Sequence, residues 1–174
     1  MPTDPLARPR VVLRSPTRRD GPELIELNRQ SRELHRGWTS PPITLAAYAK
    51  YLRHFSQASS AAFLICRASD GAIAGVCNVS EVVRGAFRSA YLGYYVGGPY
   101  AGLGYMRAGL ELVVKRAFGA LKLHRVEANI QPSNLASRAL VQALGFRLEG
   151  YSPRYLKIGG RWRDHERWAR LADQ

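Results

Sequence analysis

The segment Tyr95-Val96-Gly97-Gly98-Pro99-Tyr100-Ala101-Gly102-Leu103-Gly104-Tyr105-Met106 restricts the fold of this chain more than any other. Before it, Ser89 to Val96 is rich in tyrosine and reads as a strand. After it, Met106, Leu110, Val113 and Ala117 recur on one face of a helix that runs to about Phe118. A strand that feeds a helix through a glycine-dense loop gathers the free N–H groups of the first helical turn and the positive end of the helix dipole in one place. Such a place favours phosphate. Gly102 and Gly104 let the backbone approach a ligand in conformations that a side chain would forbid. Two nucleotide-binding architectures are excluded on spacing. No lysine with Ser/Thr follows the last glycine, as a P-loop requires. The preceding strands are joined by hairpins, not by the crossovers of a dinucleotide-binding βαβ unit.

The other periodicities surround that loop with a layered α/β arrangement. Val11 to Leu13 reads as an opening strand, and Asp20 with Gly21-Pro22 starts a helix whose Leu24, Leu27, Ser31 and Leu34 share a face. Gly37 and Pro41-Pro42 break the pattern, after which Thr44 caps a second helix with Leu45, Tyr48, Leu52 and Phe55 inward. Ala61 to Arg67 and Ile73 to Val83 are two strands joined by an Asp70-Gly71 turn, and Arg84-Gly85 leads to the tyrosine-rich third. Beyond the central helix, Arg125 to Gln131 alternates as a strand and Pro132 ends it. Asn134 caps a helix with Ala136, Leu140 and Ala143 inward, which stops at Gly145. Arg147 to Ile158 and Arg161 to Leu171, around Gly159-Gly160, form a closing hairpin. The order predicts a single α/β domain over residues 1–174, built on a mixed, mostly antiparallel sheet of about seven strands with about four helices.

Composition narrows the class further. No run of residues approaches the length a bilayer span needs, and Met1 to Pro9 lacks the apolar centre of a secretory leader. A soluble, cytoplasmic protein is expected. Cys66 and Cys77 each sit within an apolar run and read as buried reduced thiols; two cysteines make neither a metal cluster nor a disulfide framework, and no metal is expected. The net charge of +13 comes mainly from arginine, with Lys50, Lys115, Lys122 and Lys157 the only lysines. Such a surface attracts polyanions, whether a phosphate-rich cofactor or a ribosome. No stretch has the basic, aromatic-interleaved pattern of a dedicated nucleic-acid surface.

A second group of motifs carries a resemblance. These are His124-Arg125-Val126-Glu127-Ala128-Asn129, Pro132-Ser133-Asn134-Leu135-Ala136-Ser137, Leu144-Gly145-Phe146 and Glu149-Gly150-Tyr151, with Val82-Val83-Arg84-Gly85, Tyr91-Leu92-Gly93-Tyr94, Trp162-Arg163-Asp164-His165 and Trp38. In this order they resemble the GNAT superfamily, and within it the RimJ/RimL-type protein N-terminal acetyltransferases that modify ribosomal proteins, closest to the RimJ branch. The resemblance implies acetyl-CoA as the acetyl donor. It implies a sheet that splays after the strand matching Tyr91 to Val96, with the pantetheine arm paired to the backbone near Tyr95 and Val96. It places the pyrophosphate on the loop Ala101, Gly102, Leu103, Gly104, Tyr105 and Met106, and it puts Asn129, Asn134 and Ser137 on the cofactor, Ser137 beside the sulfur. The chain departs from the family in two places: Ala101 stands where a polar side chain is usual, so phosphate binding rests on backbone groups. Val141 stands where many relatives carry a tyrosine acid, which leaves Ser137 to protonate the thiolate.

Transfer of an acetyl group to an amine needs a neutral nitrogen, a polarised carbonyl and a proton for the departing sulfur. An α-amine, with a pKa near 8 against about 10.4 for lysine, loses its proton more readily by about 3 kcal/mol. A modest base then suffices, and Glu81, on the same side of its strand as Val79 and Cys77, is the first candidate, ahead of Glu149 and His124. The backbone N–H near Val96 is the candidate oxyanion donor. The acceptor expected from the resemblance is the N-terminus of a ribosomal protein, one beginning with alanine. A small amine such as an antibiotic or a polyamine, and a catalytically silent acyl-CoA binder or ribosome-associated assembly factor, are the alternatives. A monomer and a homodimer are both compatible with the sequence.

Overall fold

The computed structural model describes residues 9–173, so most of the stretch read as lacking a leader lies outside the described residues. The chain forms β1 (Val11–Arg14), α1 (Gly21–Gln30), α2 (Arg32–His35), α3 (Leu45–Phe55), β2 (Ala61–Arg67), β3 (Ile73–Val83) and β4 (Ser89–Val96). It continues through α4 (Tyr105–Phe118), β5 (Arg125–Ile130), α5 (Leu135–Ala143), β6 (Arg147–Ile158) and β7 (Arg161–Leu171). Seven strands make one sheet in the order β1-β2-β3-β4-β5-β7-β6. Only β4 and β5 run parallel, because α4 intervenes between them; the other neighbours are antiparallel. The expected fold class and its elements are thus what the chain forms, with strand ends within one residue of the sequence reading.

Alternation along the strands divides the core into two layers. On one face, Cys77 and Val79 of β3 and Val126, Ala128 and Ile130 of β5 pack under Leu110, Val113 and Val114 of α4 and Val141 after the first turns of α5. On the other, Leu64, Cys66, Val76 and Tyr95 pack under Leu24, Ile25 and Leu27 of α1 and Tyr48 of α3. Both cysteines are buried and unpaired. Burial of about twenty side chains in the first layer alone is the main favourable contribution to the fold.

Three details of the helices depart from the sequence reading. Leu45 is 69% exposed and does not belong to the inner face of α3, because it occupies the first helical position, where the chain has not yet reached the sheet. In α5 the inward stripe is Ser137, Leu140 and Val141, continued by Leu144, while Ala136 and Ala143 face outward. A stripe one residue later buries the larger side chains. Asp20 does not cap α1; its carboxylate reaches back to the Thr17 N–H (2.7 Å) and hydroxyl (2.9 Å) and pairs with Arg14 (2.5 Å). Burial alone would raise its pKa, but these bonds override it and hold the carboxyl below the usual range. Thr44 does cap α3, accepting from the Ala47 N–H at 3.1 Å.

The helical turn between α1 and α2 breaks at Ser31, whose hydroxyl donates to the Leu27 carbonyl at 2.6 Å beside the backbone bond from its own N–H at 3.1 Å. Leu27, Ser31 and His35 therefore follow one another down one face at four-residue spacing, and all three are buried. They touch the end of β4.

Candidate active site

Strand β4 is bonded along its whole length to β3, from Gly75↔Val96 to Val83↔Ser89. Its other edge pairs with β5 only at Ser89↔Arg125, Ala90↔Val126 and Tyr91↔Glu127. Past Tyr91 the two strands part. Strand backbone groups alternate in direction, and the Gly97 N–H donates to Ala74 of β3 at 2.8 Å. Tyr95 consequently turns its peptide groups toward β3, while Tyr94 and Val96 direct theirs into the gap. The Tyr95 backbone, expected to hold the cofactor arm, is thus committed to the sheet, and its ring is buried against His35 at 5.1 Å between centroids.

The gap opens into a crevice of about 840 Å³ that passes between the two faces of the sheet. At one end the loop after β4 turns into α4. Gly102 (φ 74°) and Gly104 (φ 83°) both lie in the left-handed region that disfavours a side chain, and Gly104 occupies the N-cap position with no side chain to cover the helix end. Gly102, Gly104 and Met106 line the crevice together with Arg107, whereas Ala101, Leu103 and Tyr105 do not. The Met106 side chain belongs to the core, so what it offers the crevice is its backbone.

The opposite wall comes from β5, the following loop and α5. The side-chain carbonyl oxygen of Asn129 is buried with no hydrogen-bond partner, an arrangement that is costly unless a donor arrives. Asn134 caps α5, its Oδ1 accepting from the Ser137 N–H at 3.1 Å, which leaves its amide N–H groups to donate. Ser137 Oγ lies 2.6 Å from the hydroxyl of Tyr94 on β4, so this hydrogen bond spans the gap. Burial pushes the Tyr94 phenol well above its ordinary pKa, and it stays protonated. Tyr94 carries no local signal that marks it, because its partner is remote in sequence.

On the other face of the sheet, α2, the turn after it and the closing hairpin wall the crevice with Leu34, Trp38, Leu156, Ile158 and His165, while Asn78 and Ser80 of β3 form its floor. His35 Nε2 is 2.8 Å from the Val96 carbonyl. A carbonyl only accepts, so Nε2 carries the proton, and burial lowers the pKa of the ring. His165 is 3% exposed, and its Nδ1 lies 2.9 Å from the Arg163 carbonyl. The same reasoning assigns a proton to Nδ1.

Glu81 is not among these groups. Between the pairs Ser80↔Tyr91 and Val83↔Ser89 two residues of β3 oppose Ala90 alone, a β-bulge in which Glu81 adopts φ 51° and is exposed. The bulge interrupts the alternation that would have kept it with Val79 and Cys77, and it falls outside the crevice lining. Glu149 is also removed, since Arg125 binds it through two guanidinium nitrogens and holds its carboxyl below the usual range. Glu127 is held by the same arginine at 2.8 Å. His124 precedes β5, at the end of the strand where β4 and β5 are still paired.

Known proteins share this fold. Over 93 residues the chain is 44% identical to the ribosomal protein uS5-alanine N-acetyltransferase of Escherichia coli, covering 53% of this chain and 48% of that one. Over 104 residues it is 39% identical to the probable N-acetyltransferase YjcK of Bacillus subtilis, covering 60% and 58%. The chain thus matches about half the length of these curated relatives. The solved structure of Mycobacterium smegmatis RimJ in complex with CoA-disulfide superposes with a TM-score of 0.87 at 29% identity, over 94% of this chain and 82% of that one. At 22% identity, the spermidine N-acetyltransferase of Vibrio cholerae in complex with CoA and spermine shares the fold, with a TM-score of 0.80 over 94% and 96%. Residues 10–147 match the acetyltransferase (GNAT) domain, and the chain belongs to that family, whose acetyl donor is acetyl-CoA.

Proposed function

We propose that this chain is an acetyl-CoA-dependent N-acetyltransferase acting on the α-amino group of a polypeptide N-terminus, in line with the ribosomal-protein acetyltransferases among its relatives. The observation that carries the choice of acceptor is the lining of the crevice. Among the described residues that line it there is no aspartate or glutamate. A polyamine is a polycation, and a site for one has to offset several positive charges with carboxylates. An α-amine needs none, because a single proton has to leave it.

The residues fit the donor. The N–H groups of Tyr94 and Val96 and the orphaned oxygen of Asn129 suit an extended arm that carries amides. The bare amides at the start of α4, with Arg107 beside them, suit a diphosphate. When bound, acetyl-CoA supplies the acetyl group as a thioester. Val96 offers its N–H to polarise an acyl oxygen, and His35 holds the carbonyl of the next peptide unit, between Val96 and Gly97, and so steadies the end of β4. Ser137 donates its hydroxyl proton toward sulfur, with the Tyr94 hydroxyl behind it in the same hydrogen-bonded pair. His165, which lines the crevice and has its Nδ1 held by the Arg163 carbonyl, takes at Nε2 the proton that the amine sheds.

The test is free-thiol release from acetyl-CoA with an alanine-initiated peptide, the same peptide blocked at its N-terminus, and spermidine. Turnover with the open peptide alone is expected. Turnover with spermidine and not with the peptide would replace this reading by the polyamine one. The His165→Gln variant is expected to lose at least about 100-fold in kcat with the peptide while binding coenzyme A as before. An unchanged kcat removes His165 from the chemistry.

A further inference from the structure

The hairpin of β6 and β7 extends beyond the end of β5, whose last pair with β7 is Ile130↔Glu166. Residues 152–165 therefore stand free of β5 and overhang the crevice, to which they contribute Leu156, Ile158 and His165. Directly opposed residues of an antiparallel pair share a face. The pairs Ile158↔Arg161 and Leu156↔Arg163 thus put Arg161 and Arg163 on the crevice side, ahead of His165 along β7. Both are exposed, and neither has an ion pair among the described residues. Arg154 and Lys157 add two more cations to the overhang. Its only carboxylate, Asp164, alternates to the other face and is already held by the Tyr151 hydroxyl and the Arg154 N–H (2.8 Å). Arg161 and Arg163, without an ion pair among the described residues, thus rim a crevice that has no aspartate or glutamate among the described residues lining it.

Resting on the N-terminal acetyltransferase reading, we infer that this mouth selects polypeptides whose residues just after the first carry carboxylates, bound by Arg161 and Arg163. The spacing fits. With about 3.3 Å per residue along β7, Arg163 lies about 7 Å and Arg161 about 13 Å from His165. An extended acceptor whose α-amine reaches His165 brings its third to fifth side chains to those guanidinium groups. Guanidinium also forks onto a carboxylate through two parallel hydrogen bonds.

Three heptapeptides that share an N-terminal alanine and differ at positions three to five, acidic, neutral or basic, test this by thiol release. The acidic peptide is expected to exceed the neutral one in kcat/KM by roughly tenfold at low salt, with the ratio shrinking as ionic strength rises. The double variant Arg161→Glu/Arg163→Glu, its fold checked by coenzyme A binding and thermal melting, is expected to invert the order so that the basic peptide leads. Equal rates for the three peptides overturn the inference, as does an acidic preference that survives the double variant. Equal peptide rates with inhibition by a short RNA, lost in the double variant, would assign the arginines to nucleic acid instead. Failure to acetylate any of the three would overturn the acceptor reading beneath it, an outcome distinct from equal rates.

Discussion

The two edges of β4 have opposite characters. Toward β3 the strand is fully bonded and so tightly stacked that a Cβ on Gly75 would sit 2.7 Å from the Tyr95 carbonyl oxygen and 2.8 Å from Met106. Toward β5 it is bonded for three residues and then left open. A sheet does not leave a strand edge bare without support, and here the support comes from outside the sheet. Leu27, Ser31 and His35 fasten the far end of β4: Ser31 Oγ accepts from the Gly98 N–H at 2.8 Å, His35 donates to Val96 at 2.8 Å, and Leu27 fills the space where Gly97 lacks a side chain. Gln131 ties the β5 side to the turn that follows this helical segment by donating to the Gly37 carbonyl at 2.7 Å. One edge thus holds the fold, and the other is held open by its surroundings for a ligand to complete.

The sharpest way to break this division is to load the closed edge. Gly75→Val places two methyl groups against a backbone oxygen that cannot move without disturbing the ladder. Overpacking of this kind costs about 3 kcal/mol, and for a domain of this size the melting temperature is expected to fall by roughly 6–12 °C. A variant that melts like the parent would mean that the β3 edge is as pliable as the other. The matched change on the open edge is Gly102→Ala with Gly104→Ala, at positions with φ 74° and 83°. Forcing a side chain into that region costs about 1 kcal/mol per residue and displaces the bare amides ahead of α4. Coenzyme A affinity, measured by calorimetry, is expected to weaken about tenfold, with a smaller loss of melting temperature than Gly75→Val produces. Unaltered affinity would mean that the loop backbone does not hold the diphosphate.

That asymmetry also separates what was legible in the residues from what was not. Strands and helices are local, and period-two runs such as Ala61 to Arg67, with turns such as Asp70-Gly71, announce themselves. The glycine loop and the bare amides ahead of α4 were legible because strand, loop and helix are contiguous. The splay has no local signature: Tyr91 to Val96 reads the same whether β5 follows it or leaves, and only the assembled sheet shows that the pairing stops at Tyr91↔Glu127. Glu81 was misplaced for a related reason. Alternation assigned it to the Val79 face, but a two-against-one mismatch opposite Ala90 is a property of two strands and cannot be read from one. His35, 61 residues from Val96, and Tyr94, 43 from Ser137, become partners only once the sheet is assembled. His165 stands in the stretch Trp162 to His165, but the carbonyl two residues away that binds its Nδ1 is revealed only by backbone geometry.

The smallest effect sharpens the comparison most, because it isolates one strut of the open edge. His35 is buried, and that burial lowers its pKa, while its bond to the Val96 carbonyl acts in the opposite sense and is the weaker influence. The unfolded chain protonates this ring near pH 6.5, whereas the folded chain resists until lower pH. The stability that follows is fully present above about pH 6.5 and is lost as pH falls from there toward the depressed folded value. Replacement by asparagine, which can still donate one hydrogen bond to Val96 but does not titrate, removes that dependence. Melting temperatures at pH 7.5 and 5.5 are expected to drop further for the parent than for His35→Asn, while the variant begins lower at pH 7.5 because the ring no longer packs edge-on against Tyr95. The closed edge offers no comparable group, since the β3 strand carries no histidine. Equal pH sensitivity in parent and variant would therefore mean that the end of β4 is held by Leu27 and Ser31 without a contribution from this imidazole.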